Sequence, residues 1–317
     1  MACRHEAARK ENRYRRLTIG GALVVIGVAL SAPCSAQSQS EGNEPRAVSS
    51  ELLAVAPGVL DLHGQVGASI NNLGVQQSFD LSWRKPLSAS RRAMLSGAHV
   101  AVGGSTAITP AHVRGGAWVE VAPLSVFVVR AGAEPGHYFG TFNSLTSFGS
   151  RSDAFDTDSR RERGSATSGR ATRVYVTPTL QFRAGRVIGA ATADLEWWSS
   201  NAAGPFFYEP TRDTLLDAKG DRLTALTNVV LYEHPLAAGG LSAGLMHSRT
   251  RVNDASLNEI QRVGVLVIRQ FEGRLLGVAR PSFTGVVSRY LDDPSKRGEW
   301  GASMAIGFSL NRKADAF

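Results

Sequence analysis

Charged side chains that recur at every second position are the residues of this chain with the clearest capacity for chemistry. They alternate with apolar residues, so the charges of one segment project to one face of an extended strand. Acidic and basic members are interleaved, and opposed rows of this kind set the electric field that a passing polar solute feels. The candidate solute-binding residues on this basis are Asp61, His63, Asp80, Arg84, Arg114, Glu120, Arg130, Glu134, Arg173, Arg183, Asp194 and Glu196.

The elements that carry these residues are predicted β-strands. Between residues 172 and 183, apolar side chains occupy even positions and polar ones odd positions, and the pattern repeats from Met304 to Leu310. Each such segment is long enough to cross a bilayer as a tilted strand. The predicted strands are 59–70, 74–85, 93–103, 112–122, 125–137, 171–184, 187–199, 223–234, 239–251, 258–271, 274–290 and 299–312. The facing of 223–234 and 258–271 is left open, because these two segments alternate poorly.

The connections between the predicted strands sort by length. The even-numbered ones are mostly tight, whereas both long ones, 138–170 and 200–222, are odd-numbered. A membrane barrel with both termini in the periplasm has short periplasmic turns and long extracellular loops, which is this arrangement. In a soluble β-sandwich, no physical reason makes the length of a connection depend on whether its number is odd or even.

One predicted hairpin, formed by strands 171–184 and 187–199, gives a strand register that a structure can test. If Gly185 and Arg186 are the two turn residues, glycine comes first, as a type II′ turn requires. The register then places Arg173 opposite Trp198, Tyr175 opposite Glu196 and Thr177 opposite Asp194. All six lie on the polar faces, and the diagonal pair Arg173/Glu196 is placed to interact.

In its strand number, alternation and loop lengths, the chain resembles bacterial outer-membrane β-barrels over about residues 59–317. Trp83, Trp197, Phe182 and Phe308 lie near ends of apolar strips, as in aromatic girdles. The resemblance implies an all-β fold, a transmembrane antiparallel up-and-down β-barrel of about twelve strands, in contact with outer-membrane lipid. It also implies recognition of the C-terminal strand by the barrel-assembly machinery, although the terminal Phe317 departs from the parity of the apolar strip.

The first 36 residues are predicted to be a cleavable secretory signal peptide. A basic start precedes an apolar run from Leu17 to Ala32 and a small-residue exit at Ala36. An uncleaved anchor and a lipoprotein at Cys34 are the weaker alternatives, since the run is short and Pro33 precedes the cysteine. Residues 37–58 are expected to be a flexible periplasmic lead-in.

Cleavage changes the composition of the mature chain. The formal net charge falls from +8 to +4, and both cysteines, Cys3 and Cys34, are lost. Nucleic-acid binding, a disulfide and a thiolate metal site are therefore not expected. The mean hydropathy of −0.10 excludes a bundle of membrane helices.

Two functions remain open for such a barrel. The first is a porin-like passive channel for small polar solutes, and the alternative is a non-conducting binding or structural barrel whose lumen is plugged by internal salt bridges. Residues 205–222 are rich in apolar groups and are expected to fold over or into the barrel mouth, which would constrict a pore; the direction is left open. No cofactor and no metal are expected.

Enzymatic alternatives rest on single features. Outer-membrane phospholipase A, also a twelve-stranded barrel, has a His-x-Ser pair on one strand face, whereas His247 and Ser248 are adjacent and so point to opposite faces. An omptin-like protease would need rim residues such as Glu134, His137 and Asp153 to cluster. The Asp156-x-Asp158 spacing resembles part of a calcium loop without its further ligands. The chain is therefore predicted not to be an enzyme.

Overall fold

The computed structural model describes residues 58–71, 74–89, 92, 94–164, 166–236, 239–252, 259–272, 274–275, 278–279 and 281–313. The predicted signal peptide, almost all of the lead-in and Phe317 lie outside these residues. No helix among the described residues is both long and apolar enough to cross a membrane.

Twelve antiparallel strands close into one barrel, in which the first strand pairs with both the second and the last. The predicted all-β, up-and-down barrel of about twelve strands is thereby confirmed. The barrel strands are β1 (Val59–Ile70), β2 (Gly74–Pro86), β3 (His99–Ile108), β4 (His112–Leu124), β5 (Phe127–Tyr138), β7 (Gly169–Ala184), β8 (Val187–Ser200), β11 (Asp221–Leu236), β12 (Gly239–Val252), β13 (Ile260–Phe271), β16 (Ser282–Asp292) and β17 (Trp300–Lys313).

The connections hold the remaining elements. These are a 3₁₀ turn (Thr141–Asn143), β6 (Ser147–Phe148), α1 (Thr157–Arg163), β9 (Phe206–Glu209), β10 (Thr214–Asp217), β14 (Arg274–Leu275) and β15 (Val278–Ala279). The two longest connections, 139–168 and 201–220, lie at the same end of the barrel, which we call the long-loop end. The other end, with the turn 185–186 and both ends of the barrel sequence, is the short-turn end.

Three predicted strand bounds were wrong by five residues or more, and one of them is the end of the third strand, which lies at Ile108 rather than residue 103. The third strand begins at His99 rather than residue 93, because residues 94–97 form a turn in which the Ala98 N–H donates to the carbonyl of Leu95 at 3.1 Å. The eleventh begins at Ser282 rather than 274, because β14 and β15 form a small separate hairpin. Both connecting segments contain apolar residues at spacings that resemble a strand, and the predicted strands therefore began too early.

The side chains of each strand divide between an apolar outer wall and an inner wall. On β17, Met304 and Ile306 are exposed outward, whereas the intervening Ala305 is buried. The hairpin of β7 and β8 has the predicted register, with Arg173 opposite Trp198 and Tyr175 opposite Glu196. Gly185 has a φ of +60°, which suits the first position of that turn.

The outer wall gives a stability prediction. Val176 lies on the outward face of β7 halfway along the strand, so Val176→Arg is expected to destabilise the barrel in a bilayer by about 2–4 kcal/mol. Val187→Arg is the control, because Val187 is outward-facing but at the short-turn end, where the cost is about 0–1 kcal/mol. Equilibrium unfolding from lipid vesicles measures both, and equal small effects would mean that this face does not meet lipid.

Candidate functional site

A short hairpin from the connection between β8 and β11 occupies the mouth of the barrel at the long-loop end. This mouth hairpin, Phe206–Asp217, consists of β9 and β10, and β9 also pairs with β6 of the other long connection. Its base is joined by hydrogen bonds, since the Ala218 N–H donates to the carbonyl of Pro205 at 2.8 Å. The hairpin and β6 form a small three-stranded sheet across the mouth.

The two faces of the mouth hairpin pack against different partners because strand side chains alternate. Phe207 and Leu216, which pair across the hairpin, are fully buried against inward-facing side chains of several barrel strands. Those barrel residues are Tyr138, Ala171, Trp198, Leu223, Ala225 and Val252. On the other face, Tyr208 and Leu215 pack against Phe148 and Phe155 of the connection 139–168. Apolar burial on both faces thus holds the hairpin in the mouth.

The tip of the mouth hairpin carries Arg212 into the lumen. Its guanidinium Nη2 donates to Asp194 at 3.0 Å, and its Nε donates to Glu196 at 3.2 Å. Glu196 has no exposed side-chain surface and also accepts from the Arg173 Nε at 2.8 Å and the Trp198 Nε1 at 2.7 Å. We call Arg173, Asp194, Glu196 and Arg212 the tip ion cluster. Burial opposes the charge of Arg212, but the Glu196 and Asp194 carboxylates outweigh it and raise the pKa of Arg212.

Glu209, at the end of β9, makes a second ionic contact between the mouth hairpin and the wall. It lies 3.7 Å from Arg114 Nη1 and accepts a hydrogen bond from the Tyr138 hydroxyl. Arg114 in turn lies 3.1 Å from Glu134, and Glu134 lies 3.1 Å from Arg173. Consecutive ion pairs therefore connect the hairpin, through residues of β4, β5 and β7, to the tip ion cluster.

A third contact joins the tip to the connection between β16 and β17. Lys296 pairs with Asp213, which also accepts a hydrogen bond from the Tyr208 hydroxyl at 2.6 Å. Burial, followed by the nearby charge of Asp213, raises the pKa of Asp293 in this connection. Burial and Asp213 likewise raise the pKa of Tyr208 well above its ordinary value. The hairpin is thus anchored on opposite sides of the mouth.

Below the tip, toward the short-turn end, the wall of β1–β5 is polar and partly accessible to solvent. Arg130 lies 2.8 Å from Glu120 and 3.3 Å from Asp80. Their side chains keep accessible surface inside the barrel, 31% for Arg130 and 25% for Asp80, and the lumen-facing His63 is exposed. We call this space the lower vestibule.

Part of the opposite inner wall is apolar. Val229 and Leu231 of β11 are buried with Met246 of β12 and Leu266 of β13. The accessible charged side chains of the lower vestibule lie instead on β2 and β5.

The structure places all twelve predicted site residues on the lumen side of their strands. Eleven of them form ion pairs, and His63 lies opposite Asp80 in the register of β1 and β2. The pairs outside the networks above are Asp61 with Arg84, at 3.5 Å, and Arg183 with Glu233 near the short-turn end. A solute-binding role for these residues stays a prediction.

The mouth hairpin lies within residues 205–222, which were expected over or in the mouth, but sequence reasoning did not single out the charged residues with which it contacts the wall. Glu209, Arg212 and Asp213 lie in a connection, so strand parity could not assign them to the lumen. Their signal was a turn sequence, Glu209–Asp213, between two short apolar runs. That pattern is typical of a hairpin.

The features behind the enzymatic alternatives do not assemble. His247 faces outward and contacts Gln261 at 2.9 Å, whereas Ser248 is buried on the lumen face of the same strand. Asp153 pairs with Arg163 within its own loop at 3.0 Å, and His137 faces outward from β5.

The Asp156-x-Asp158 spacing turns out to be a helix cap. Asp156 accepts from the backbone N–H groups of Asp158 and Ser159, each at 3.1 Å, at the start of α1. Burial opposes its charge, but the hydrogen bonds from Ser159 outweigh this and lower the pKa of Asp156. No cluster of potential metal ligands occurs among the described residues.

Comparisons with known proteins find resemblance in shape alone. No family model matches the sequence, and no curated protein matches it. The β domain of the Bordetella autotransporter BrkA is similar at 12% identity and a TM-score of 0.40, over 81% of this chain and 100% of that one. An outer-membrane channel from Pseudomonas putida F1 is similar at 10% identity and a TM-score of 0.36, over 84% of this chain and 100% of that one.

A third solved structure is the NanC porin, at 11% identity and a TM-score of 0.36, covering 79% of this chain and 98% of that one. All three are outer-membrane proteins or domains with a barrel. At these identities the function of this chain has to be inferred from its own residues.

Proposed function

We propose that this chain is an outer-membrane β-barrel whose lumen is closed by its own mouth hairpin, so that it does not conduct polar solutes in this conformation. The observation that carries the proposal is the tip ion cluster, in which Arg212 of the hairpin contacts both Asp194 and Glu196 of the wall. The many exposed apolar side chains of the outer wall support the membrane location, because residues such as Leu245 and Ile306 would otherwise face water.

A second candidate is a porin-like channel for small polar solutes that conducts when the hairpin leaves the mouth. The lower vestibule favours this candidate. Its charged side chains, such as Arg130 and Asp80, keep solvent-accessible surface inside the barrel, as the charges that line a pore do. On this view the vestibule is the part of the pore that is already open.

Conductance in planar bilayers tests both candidates. The wild type is expected to give no steps. In the comparison variant residues 206–217 are replaced by Gly-Gly, which is long enough because Pro205 and Ala218 are already hydrogen-bonded. Circular dichroism and vesicle flotation establish that both proteins are folded and inserted.

Each outcome is decisive. Steps from the wild type would contradict closure by the hairpin. Steps from the shortened variant alone would support closure by the hairpin and would show that the lumen behind it is wide enough for a channel. Silence from both folded proteins would reject the channel and would show that more than the hairpin closes the lumen.

Two further expectations belong to this proposal. We expect no lipid hydrolysis, since a nucleophile and its base must share a face and His247 and Ser248 do not. We also infer that β17 is the strand that the barrel-assembly machinery engages, because its pairing with β1 closes the barrel.

A further inference from the structure

The outer wall carries a group of arginines at the long-loop end of β11, β12 and β16. They are Arg222, Arg249, Arg251 and Arg289, which we call the basic arc. Arg251 lies opposite Thr224 and Arg249 opposite Leu226, so Arg251 is two positions along β12 from Arg249 and diagonal to Arg222 across the pair of β11 with β12. Directly opposite cross-strand side chains lie about 4.5–5.5 Å apart at Cβ and diagonal ones about 7–8 Å. One ligand can therefore contact several of them.

The charge of the basic arc is largely uncompensated. Of these arginines, only Arg249 pairs with a carboxylate among the described residues, donating its Nε and Nη2 to Glu259 at 2.6 and 2.8 Å. Within the described part of the chain, no carboxylate pairs with Arg222, Arg251 or Arg289, and all three are exposed. The guanidinium groups of Arg222 and Arg251 therefore face outward without a paired carboxylate, and that of Arg289 makes one hydrogen bond, from its Nε to the Gly298 carbonyl at 3.3 Å.

The basic residues at the long-loop end of the outer wall, which are the basic arc and the exposed Arg170 at the start of β7, lie on one side of the barrel. The matching outward positions in the long-loop halves of β1–β5 hold small, apolar or uncharged polar residues, with neither arginine nor lysine. A general need for charge at the membrane surface would have placed basic residues on every strand. The asymmetry indicates a local ligand.

Aromatic and apolar side chains around the basic arc identify the kind of ligand. Trp197 lies opposite Arg222, and the Trp300 ring lies 5.9 Å from the Arg289 guanidinium. Further along the same outward faces, Val230 and Leu245 are 54% and 64% exposed. The arginines therefore lie where headgroups would meet acyl chains, as amphipathic tryptophan side chains do at membrane interfaces.

We propose that the basic arc binds the phosphate groups of an anionic membrane lipid in the leaflet at the long-loop end. Guanidinium groups contact phosphate oxygens in a bidentate manner, and the neighbouring apolar wall takes the acyl chains. The inference rests on the membrane location in the proposed function but not on whether the lumen conducts.

The test measures binding of one defined lipid. Diphosphoryl lipid A is titrated into the folded full-length barrel in detergent, and native mass spectrometry reports the bound fraction. The variant is Arg222→Gln/Arg251→Gln/Arg289→Gln, which leaves the pair of Arg249 with Glu259 intact. Its control, Arg161→Gln/Lys219→Gln/Arg297→Gln, removes three exposed basic side chains from loops at the same end but leaves the outer wall unchanged.

The arc variant is expected to bind at least about tenfold more weakly than the wild type, since each basic group near an anionic lipid surface contributes appreciably to binding. The control is expected to bind as the wild type does. Equal binding by all three proteins, or equal loss in the variant and the control, would overturn the proposal.

Two further arms separate the lipid from other phosphate sources and from the proposed function. Excess inorganic phosphate is expected not to displace the lipid, and displacement at equimolar phosphate would overturn a lipid site. Vesicle flotation of the arc variant is expected to match that of the wild type. If the wild type fails to float with vesicles, the membrane location in the proposed function is wrong. If both proteins float and the arc variant binds the lipid as the wild type does, only the proposal for the basic arc is wrong.

Discussion

Glu196→Ala is expected to destabilise the protein by about 3–5 kcal/mol, because removing one member of a buried ion cluster leaves its partners charged and unpaired. The Glu196 side chain is fully buried and holds both Arg173 and Arg212. It also accepts the Trp198 indole N–H at 2.7 Å. The substitution therefore leaves two guanidinium groups and an indole donor with fewer acceptors. Equilibrium unfolding in denaturant from detergent micelles measures the loss.

Glu233→Ala is the matched control for that substitution. Glu233 also faces the lumen and also pairs with an arginine, Arg183, but 40% of the arginine side chain is exposed near the short-turn end. Partly exposed pairs contribute about 0–1 kcal/mol, so this change is expected to have little effect. Similar losses for the two variants would show that burial of the tip ion cluster adds no stability.

The barrel itself could be predicted from the sequence, because its strands obey a local rule. On β7 and β17 the outer wall needs apolar residues and the inner wall tolerates polar ones, so a period of two appears directly in the residues. The register of β7 with β8 followed from one turn, Gly185-Arg186. The ion pair of Arg173 with Glu196, predicted from that register, is present.

The facing of β11 could not be predicted, and the structure shows why. Its inner side chains Leu223, Val229 and Leu231 are buried against the mouth hairpin or against β12 and β13. Its outer face carries apolar residues as well, including Val230. When both faces are apolar, the alternation that distinguishes them disappears.

The closure of the mouth depends on contacts that no local pattern contains. Phe207 and Leu216 are buried only because three different barrel strands bring Tyr138, Trp198 and Val252 together around them. The partners of Arg212 likewise become visible only when the hairpin is placed against β8. Strand alternation fixes where the wall charges point, but it carries no information on which of them a loop will neutralise.

Arg212→Glu is expected to drive the mouth hairpin out of the barrel. The change places a third carboxylate beside Asp194 and Glu196 and removes a guanidinium that contacts both. Like charges at this separation repel strongly when they are withdrawn from water. Apolar burial of Phe207 and Leu216 opposes release, so the expected result is a larger open population rather than a lost fold.

Labelling of a lumen cysteine measures this opening. Thr192, on the inner face of β8 below the tip, is replaced by cysteine in a chain whose Cys3 and Cys34 are serine. A charged, membrane-impermeant thiol reagent added from the long-loop end is expected to react at least about tenfold faster in Arg212→Glu, since about 1.4 kcal/mol of opening free energy corresponds to tenfold.

Arg161→Glu makes the same charge change on α1, where 61% of the Arg161 side chain is exposed. Among the described residues, Arg161 contacts neither the wall nor the tip ion cluster. The cysteine at position 192 is therefore expected to be labelled at the same rate in Arg161→Glu as in the chain without a loop substitution. Equal acceleration by both variants would attribute the effect to net charge at the mouth. Acceleration by Arg212→Glu alone would identify the contact of Arg212 with Glu196 and Asp194 as the interaction that keeps the lumen closed.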